Sequence, residues 1–298
     1  MKIGLETESM HLWFQNGKMD IFSYIDFAKE LDCDGVIINI IKDFGLDEEW
    51  GCLGSNEEDH LKKIRAKLDE YNMYCEIDAK SFDKNKFEKI AKVAQILNTK
   101  IIRSYVPLTD KSKKVKNASD GSFDDSKITA LFNKEEFLNS SNEIKALIEI
   151  LENYDLKLVI ENHEYQTSSD LLELLALINH PRVGFLYDFG NSMMAYEDLI
   201  KACKDMAKYT FSTHCKDHII FNEDGVDYVC GVPLGEGNID IKACIEILKN
   251  EGLDRINIEQ CYPYCANFKR EKGTGGIDKL GESAFKIEKP LFKSLKAM

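Results

Sequence analysis

Hydrophobic positions along this chain keep two rhythms in turn. Eight short runs are dense in β-branched and aliphatic residues and have the length of buried strands: Ile3 to Glu6, Gly35 to Ile40, Tyr74 to Asp78, Lys100 to Tyr105, Lys157 to Asn162, Val183 to Asp188, Phe211 to Lys216 and Arg255 to Glu259. Between them, apolar residues recur every three or four positions, the period of a helix with one buried face. These stretches are Ile21 to Leu31, Asp59 to Tyr71, Phe87 to Leu97, Lys134 to Tyr154, Ser169 to Asn179, Tyr196 to Lys208 and Ile239 to Glu251. A closing helix, Glu282 to Lys296, follows the eighth run. Strand then helix, repeated, predicts a parallel sheet, because parallel neighbours need a crossover that returns the chain to the same end. Eight units suffice to close that sheet without a free edge. The fold class expected is therefore α/β, a (β/α)8 TIM barrel rather than an open doubly wound sheet. No Pro- or Ser-rich linker divides the chain, so residues 1–298 are expected to form a single domain. The longest aperiodic stretch, 109–129, is rich in Lys, Asp and Ser and follows the fourth strand, on the face where a barrel carries its chemistry. It suits a lid, an oligomer contact or an ordinary mobile loop.

Composition narrows the partners. Hydrophobic residues make up 44% and charged residues 31% of 298, enough apolar material for a full core under a solvated surface. A formal net charge of −13 repels phosphate backbones, and no basic patch offsets it, so no nucleic-acid partner is expected. No apolar run reaches the roughly 18 residues needed to cross a bilayer, and the first residues lack the basic-then-apolar pattern of a leader. Nine cysteines, an odd number without paired short spacing apart from Cys261 and Cys265, speak against a disulfide framework. The expectation is a reduced, cytoplasmic protein with no membrane partner; a homo-oligomer is compatible with it.

A barrel turns the polar residues at the carboxyl ends of its strands into its mouth. Four strand runs finish as KLVIENHE, VGFLYDFGN, TFSTHCKDH and RINIEQ, and so deliver Glu161, Asp188, His214 and Glu259 from successive strands, each after an apolar stretch. Carboxylates brought together repel one another, and burying one without a partner costs several kcal/mol. A single divalent metal ion removes both penalties. Three carboxylate oxygens with one imidazole nitrogen suit Mn2+, Mg2+, Co2+ or Zn2+ and leave positions for substrate oxygens. The bland alternative is four separate ion pairs; arrival from consecutive strands favours the shared ion.

Five segments carry a resemblance: IENHE (Ile160 to Glu164), YDFGN (Tyr187 to Asn191), HCKD (His214 to Asp217), PLGEGNID (Pro233 to Asp240) and INIEQ (Ile256 to Gln260). In this order they resemble the xylose isomerase-like superfamily, which includes ketose 3-epimerases, hydroxypyruvate isomerases, inosose dehydratases and isomerases, and the AP-endonuclease branch of DNA repair. The resemblance is clearest from Leu156 to Gln260. It implies a metal held by Glu161, Asp188, His214 and Glu259, with Glu161 and Glu259 also acting as the acid and base on opposite faces of a small sugar or polyol. The enzyme implied is an isomerase or epimerase that moves a proton through an enediolate. A lyase that dehydrates a keto-sugar or keto-inositol begins with the same proton abstraction and is the alternative. A DNA-repair nuclease would need further histidines on the early strands, where the chain offers Asn39. A non-catalytic sugar-binding barrel would leave Glu161 and Glu259 without a task. Two positions depart from the epimerase pattern, Asn191 where histidine is common and Lys216 where arginine is common. Both fall where substrate oxygens would be held, and both side chains still offer donors.

Around this core stand further candidates for substrate binding. His163 shares the inward parity of Glu161, and suits a substrate contact or an ordinary loop histidine. His218 lies just beyond HCKD, and suits the mouth or solvent. Arg103 ends the fourth strand, and suits a grip on a hydroxyl-rich or anionic group or a structural ion pair. His11, Trp13 and Phe14 follow the first strand and suit a sugar-stacking wall or plain loop packing. Asn39, Glu76 and Asp78 sit near strand ends and could line the pocket. Asp188-Phe189-Gly190 spells a kinase metal motif but lacks its glycine-rich and catalytic loops, and Gly235 with Gly237 lacks the spacing of a nucleotide fingerprint.

Overall fold

The computed structural model describes residues 1–41, 50–106, 134–163, 166–195, 197–223, 226–260 and 265–267. All eight strand runs form strands. β1 (Lys2–Glu6), β2 (Gly35–Asn39), β3 (Tyr74–Asp78), β4 (Ile101–Ser104), β5 (Lys157–Glu161), β6 (Val183–Asp188), β7 (Thr210–His214) and β10 (Arg255–Ile258) pair in parallel in the order β10-β1-β2-β3-β4-β5-β6-β7. The two ends of this order meet. Cys215 bridges in parallel to Ile258, its N–H donates to Asn257 O at 2.7 Å, and the Glu259 N–H donates to Cys215 O at 3.0 Å. This is the TIM barrel that the alternation predicts. The stretch read as one helix, Lys134 to Tyr154, is two, Lys134–Lys145 and Ile148–Asn153. The excursion at 109–129 and the closing helix at 282–296 lie outside the described residues.

Local chemistry sets the helix ends. Side chains of Asp20, Asp83, Thr167, Asp198 and Asp240 each accept the backbone N–H three residues on, satisfying a first-turn donor that the helix itself cannot. At the opposite ends, Asp32, Asn72, Asn98, Asp155 and Asn179 take φ values of 48 to 60°, the left-handed cap that turns the chain back toward the next strand.

Two separate layers hold the barrel. The outward-facing strand residues, such as Leu5, Ile38, Ile77, Ile102, Ile160 and Phe185, share one large apolar core with the surrounding helices. Inside the barrel a small cluster of Ile101, Val159 and Leu186 packs with Phe211. The interior is not apolar throughout. At the same depth Glu76 is buried, accepting from Ser212 Oγ at 2.5 Å, Asn257 Nδ2 at 3.0 Å and Arg255 Nη1 at 3.3 Å. Room for this network comes from Gly4 and Gly35, where a Cβ would collide with the Asn257 and Tyr74 side chains.

One element escaped the sequence reading. β8 (Asp217–Glu223) and β9 (Val226–Val232) pair antiparallel, and β11 (Cys265–Asn267) adds to β9, forming a small sheet beside the mouth between β7 and β10. Cys230 on β9 is disulfide-bonded, which corrects the expectation of a fully reduced chain. Cys52, Cys75, Cys203, Cys215 and Cys244 are free and buried, and Cys33 is buried too. No helix among the described residues is long and apolar enough to cross a membrane.

Candidate metal centre

Strand pleating sends alternate residues inward, and the last inward position on each of the eight barrel strands is polar. β1 to β4 contribute Glu6, Asn39, Asp78 and Arg103; β5, β6 and β7 end in Glu161, Asp188 and His214, and Glu259 follows β10 directly. Within this ring Glu161, Asp188, His214 and Glu259 each offer one ligand atom, and the four atoms lie within 4.8 Å of one another, all on buried residues.

The ring of His214 sets the geometry. Its Nδ1 lies 3.2 Å from Glu161 Oε1, 3.2 Å from Glu259 Oε2 and 3.9 Å from Asp188 Oδ2. Asp188 is fixed from below by Asn162, whose amide accepts the Asp188 N–H at 2.7 Å and donates to its carbonyl at 2.9 Å. Asp188 Oδ1 accepts the N–H groups of Gly190 and Asn191 at 2.8 and 2.9 Å, which turns Oδ2 toward the other ligands.

Burial and crowding divide the four electrostatically. Burial pushes Asp188 up to about 8, with Glu259 and Glu161 adding to the rise and Lys216 opposing it. Burial works against the charge of Glu161 too, but Arg103 and His214 outweigh it and hold that carboxyl well below its ordinary range. Lys216 and His214 do the same for Glu259. The His214 ring loses charge to burial but gains more from Asp78 and Glu259, ending well above the usual imidazole value. A buried set of three carboxyls and an imidazole, in which burial and the two neighbouring carboxylates raise one carboxyl to about 8, fits a divalent cation.

The other predicted residues fall around this set. The Lys216 ammonium lies 2.7 Å from Asp188 Oδ2 and 2.7 Å from Glu259 Oε2. Asn191 Nδ2 donates to Glu161 Oε1 at 3.2 Å. Arg103 forms the ion pair weighed for it, and the partner is Glu161 itself. His163 stacks on Tyr105, ring centroids 4.0 Å apart and planes 10° apart, with the Arg103 guanidinium 4.7 Å from the same Tyr105 ring. His218 is buried over Gly190; burial, and then Lys216, push it down to about 3, so the ring is neutral. After β1, Trp13 packs on Phe27 and Phe14 on Tyr24, both with ring centroids 5.7 Å apart. Glu76 lies one layer too deep to line the mouth.

Sequence reasoning passed over Glu6, which is buried in the same ring; burial, with Asp78, Glu8 and Glu259 adding, raises its carboxyl well above the ordinary range. The parity rule that found Glu161 would have found it, since Gly4 and Glu6 share the inward face of β1.

The family described as Xylose isomerase-like TIM barrel matches residues 25–275. The chain belongs to this family. Among curated proteins, the uncharacterized protein YihM of Escherichia coli (strain K12) is 24% identical to this xylose isomerase-like barrel over 241 residues, 81% of the chain and 66% of the relative, just under two thirds of its length. Among solved structures, the probable 3-DHS dehydratase AsbF of Bacillus anthracis superposes with a TM-score of 0.65 at 16% identity, over 99% of each chain. The IOLI protein with a bound zinc atom gives 0.68 at 17%, over 100% of this chain and 97% of that one. D-psicose 3-epimerase of Clostridium cellulolyticum H10, solved with D-tagatose, gives 0.68 at 14%, over 100% and 96%. At such identities the superpositions speak for the fold.

Proposed function

We propose that the protein is a metal-dependent isomerase or epimerase of a small sugar or polyol, with Glu161, Asp188, His214 and Glu259 as ligands and Glu161 and Glu259 as acid and base. The observation that carries the reading is the convergence of these four buried side chains, their ligand atoms within 4.8 Å, at the carboxyl end of the barrel. A divalent cation bound there supplies Lewis-acid polarisation of substrate oxygens.

The chain's own residues do the rest. Glu161 is kept ionised by Arg103 and steadied by Asn191, so it can take a proton from the carbon beside a carbonyl. Glu259 lies 3.2 Å from His214 Nδ1 and 2.7 Å from the Lys216 ammonium, which would pass it the proton that it delivers to the substrate carbon, while Glu161 keeps the proton that it takes until exchange with solvent resets the pair. Burial of all four excludes water that would quench the intermediate. The zinc of the IOLI structure and the D-tagatose of the epimerase structure support this reading by likeness of fold.

A lyase acting on a keto-sugar or keto-inositol is the second reading, and Lys216 favours it. Elimination needs one base and one donor for a departing hydroxyl, and Glu259 with Lys216 at 2.7 Å offers such a couple. The test is metal analysis of the purified protein, followed by incubation with ketoses and keto-inositols in deuterium oxide. Solvent deuterium at a substrate carbon with unchanged composition marks the isomerase; loss of water marks the lyase. A protein that retains no divalent ion and exchanges no substrate proton sinks both.

A further inference from the structure

We propose that Asp78 is the positioning residue that decides which nitrogen of His214 meets the cation. The proposal rests on the metal-centre reading above. A neutral imidazole carries one N–H and one lone pair, and a ligand ring has to offer the lone pair to the ion. His214 is 1% exposed, so solvent does not choose its tautomer. Its Nδ1 faces Glu161 Oε1 and Glu259 Oε2, whereas Nε2 lies at ion-pair distance, 3.0 Å, from Asp78 Oδ2 and makes no aligned hydrogen bond among the described residues.

A carboxylate on the Nε2 side holds the proton there and leaves the lone pair on Nδ1. It also makes Nδ1 a stronger donor to a cation. Asp78 is suited to this task because it is itself fixed. It is 2% exposed, ends β3 in register with Arg103 on β4, and lies 4.0 Å from Arg103 Nε. Arg103 in turn pairs with Glu161, so one guanidinium joins the group behind His214 to a ligand in front of it. Asp78 stands outside the four-ligand group, with the imidazole between. Burying a carboxylate at this point has no apolar rationale, and orienting His214 gives it one.

The full-length protein, stripped of metal and titrated with Mn2+ by calorimetry, tests this. D78A is expected to bind about 10–100-fold more weakly than wild type. D78N keeps an acceptor but not the charge, and is expected to fall between them. Equal affinity in D78A and wild type overturns the proposal. E76Q removes a carboxylate one layer below on the same strand and is expected to retain wild-type affinity; an equal loss there would mean that any change in β3 loosens the site, and would overturn it too. Should D78A fail to fold, the wild type carries the test through 15N-histidine NMR of the Zn2+ complex. Retention of the proton on Nε2 with Nδ1 bound is expected, and the reverse assignment overturns it. A wild type that binds no divalent ion sinks the metal-centre reading itself, a different failure from tight binding that ignores Asp78.

Discussion

At the scale of single residues, the site is a problem of charge placement. Gln in place of Glu161 or Glu259 keeps the shape and the acceptor but removes the base. Turnover in E161Q and E259Q is expected to fall about 10²–10⁴-fold, read as initial rates on any substrate the deuterium panel identifies. Unchanged rates in both would mean that neither glutamate moves a proton. Lys216 leads to an expectation of opposite sign for binding. Its ammonium already lies at 2.7 Å from two of the four ligands, so an arriving cation has to compete with it. K216M is expected to bind Mn2+ more tightly than wild type while losing turnover; weaker binding would mean that the ammonium stays in place and supports the loaded site. The four clustered side chains were readable from sequence because each ends an apolar run in a charge, an arrangement with no packing rationale. Their second contacts were not. That Arg103 would reach Glu161, or Asp78 the far side of His214, depends on which strands the barrel sets next to each other and how far its shear staggers them, and no single strand encodes that.

At the scale of elements, the described strands and most of the described helices were legible because both periods are strong; what failed among the described residues was one hairpin and the break between Lys145 and Ile148. The runs HIIF and VDYV flank Asp224-Gly225, a dipeptide that favours tight hairpin turns, and the pattern was overlooked because it sits between two motifs read for chemistry. The structure shows those motifs to be one device. Asp217 of HCKD accepts the backbone N–H groups of His218, Gly235 and Gly237, each at 2.9 Å, and of Ile239 at 3.3 Å, so its carboxylate clamps the PLGEGNID loop to the end of β7. The second glycine of that loop is needed for approach, since a Cβ at 237 would run into the Asp217 carboxylate. D217A is expected to free the loop, with limited proteolysis cutting within 233–239 at a protease dose that leaves wild type intact. G237A should reproduce that pattern, because it attacks the same contact from the other side. Resistance of both variants would show that the barrel and hairpin hold the loop without the clamp.

At the scale of the whole molecule, a chain of net charge −13 folds around a buried acidic ring, and the stability of the ion-free barrel should report the missing charge. Folding carries Asp188 from its ordinary value of 3.8 to about 8, so the folded state binds a proton there that the unfolded state has released. The stability tied to that proton is present below about 4 and is lost as pH rises toward about 8. His214 acts in the same direction: its folded value is raised well above 6.5, so its contribution is full below that pH and fades as pH climbs through the raised value. Glu161 and Glu259 have the opposite sign, being held low when folded, and their contribution is lost only in acid, below their ordinary 4.5. The ion-free protein should therefore melt at a lower temperature at pH 8 than at pH 6. A divalent cation replaces both protons, so its affinity should rise over the same interval and the slope of Tm with pH should flatten once it saturates. At a free concentration one hundred times Kd, binding adds about 2.7 kcal/mol, on the order of 5 °C in a barrel of this size. Scanning calorimetry at pH 6, 7 and 8, with chelator and with Mn2+, reads both effects. An ion-free Tm that holds level or rises across that range would mean that the four side chains already satisfy one another and that the fold makes no demand for a cation.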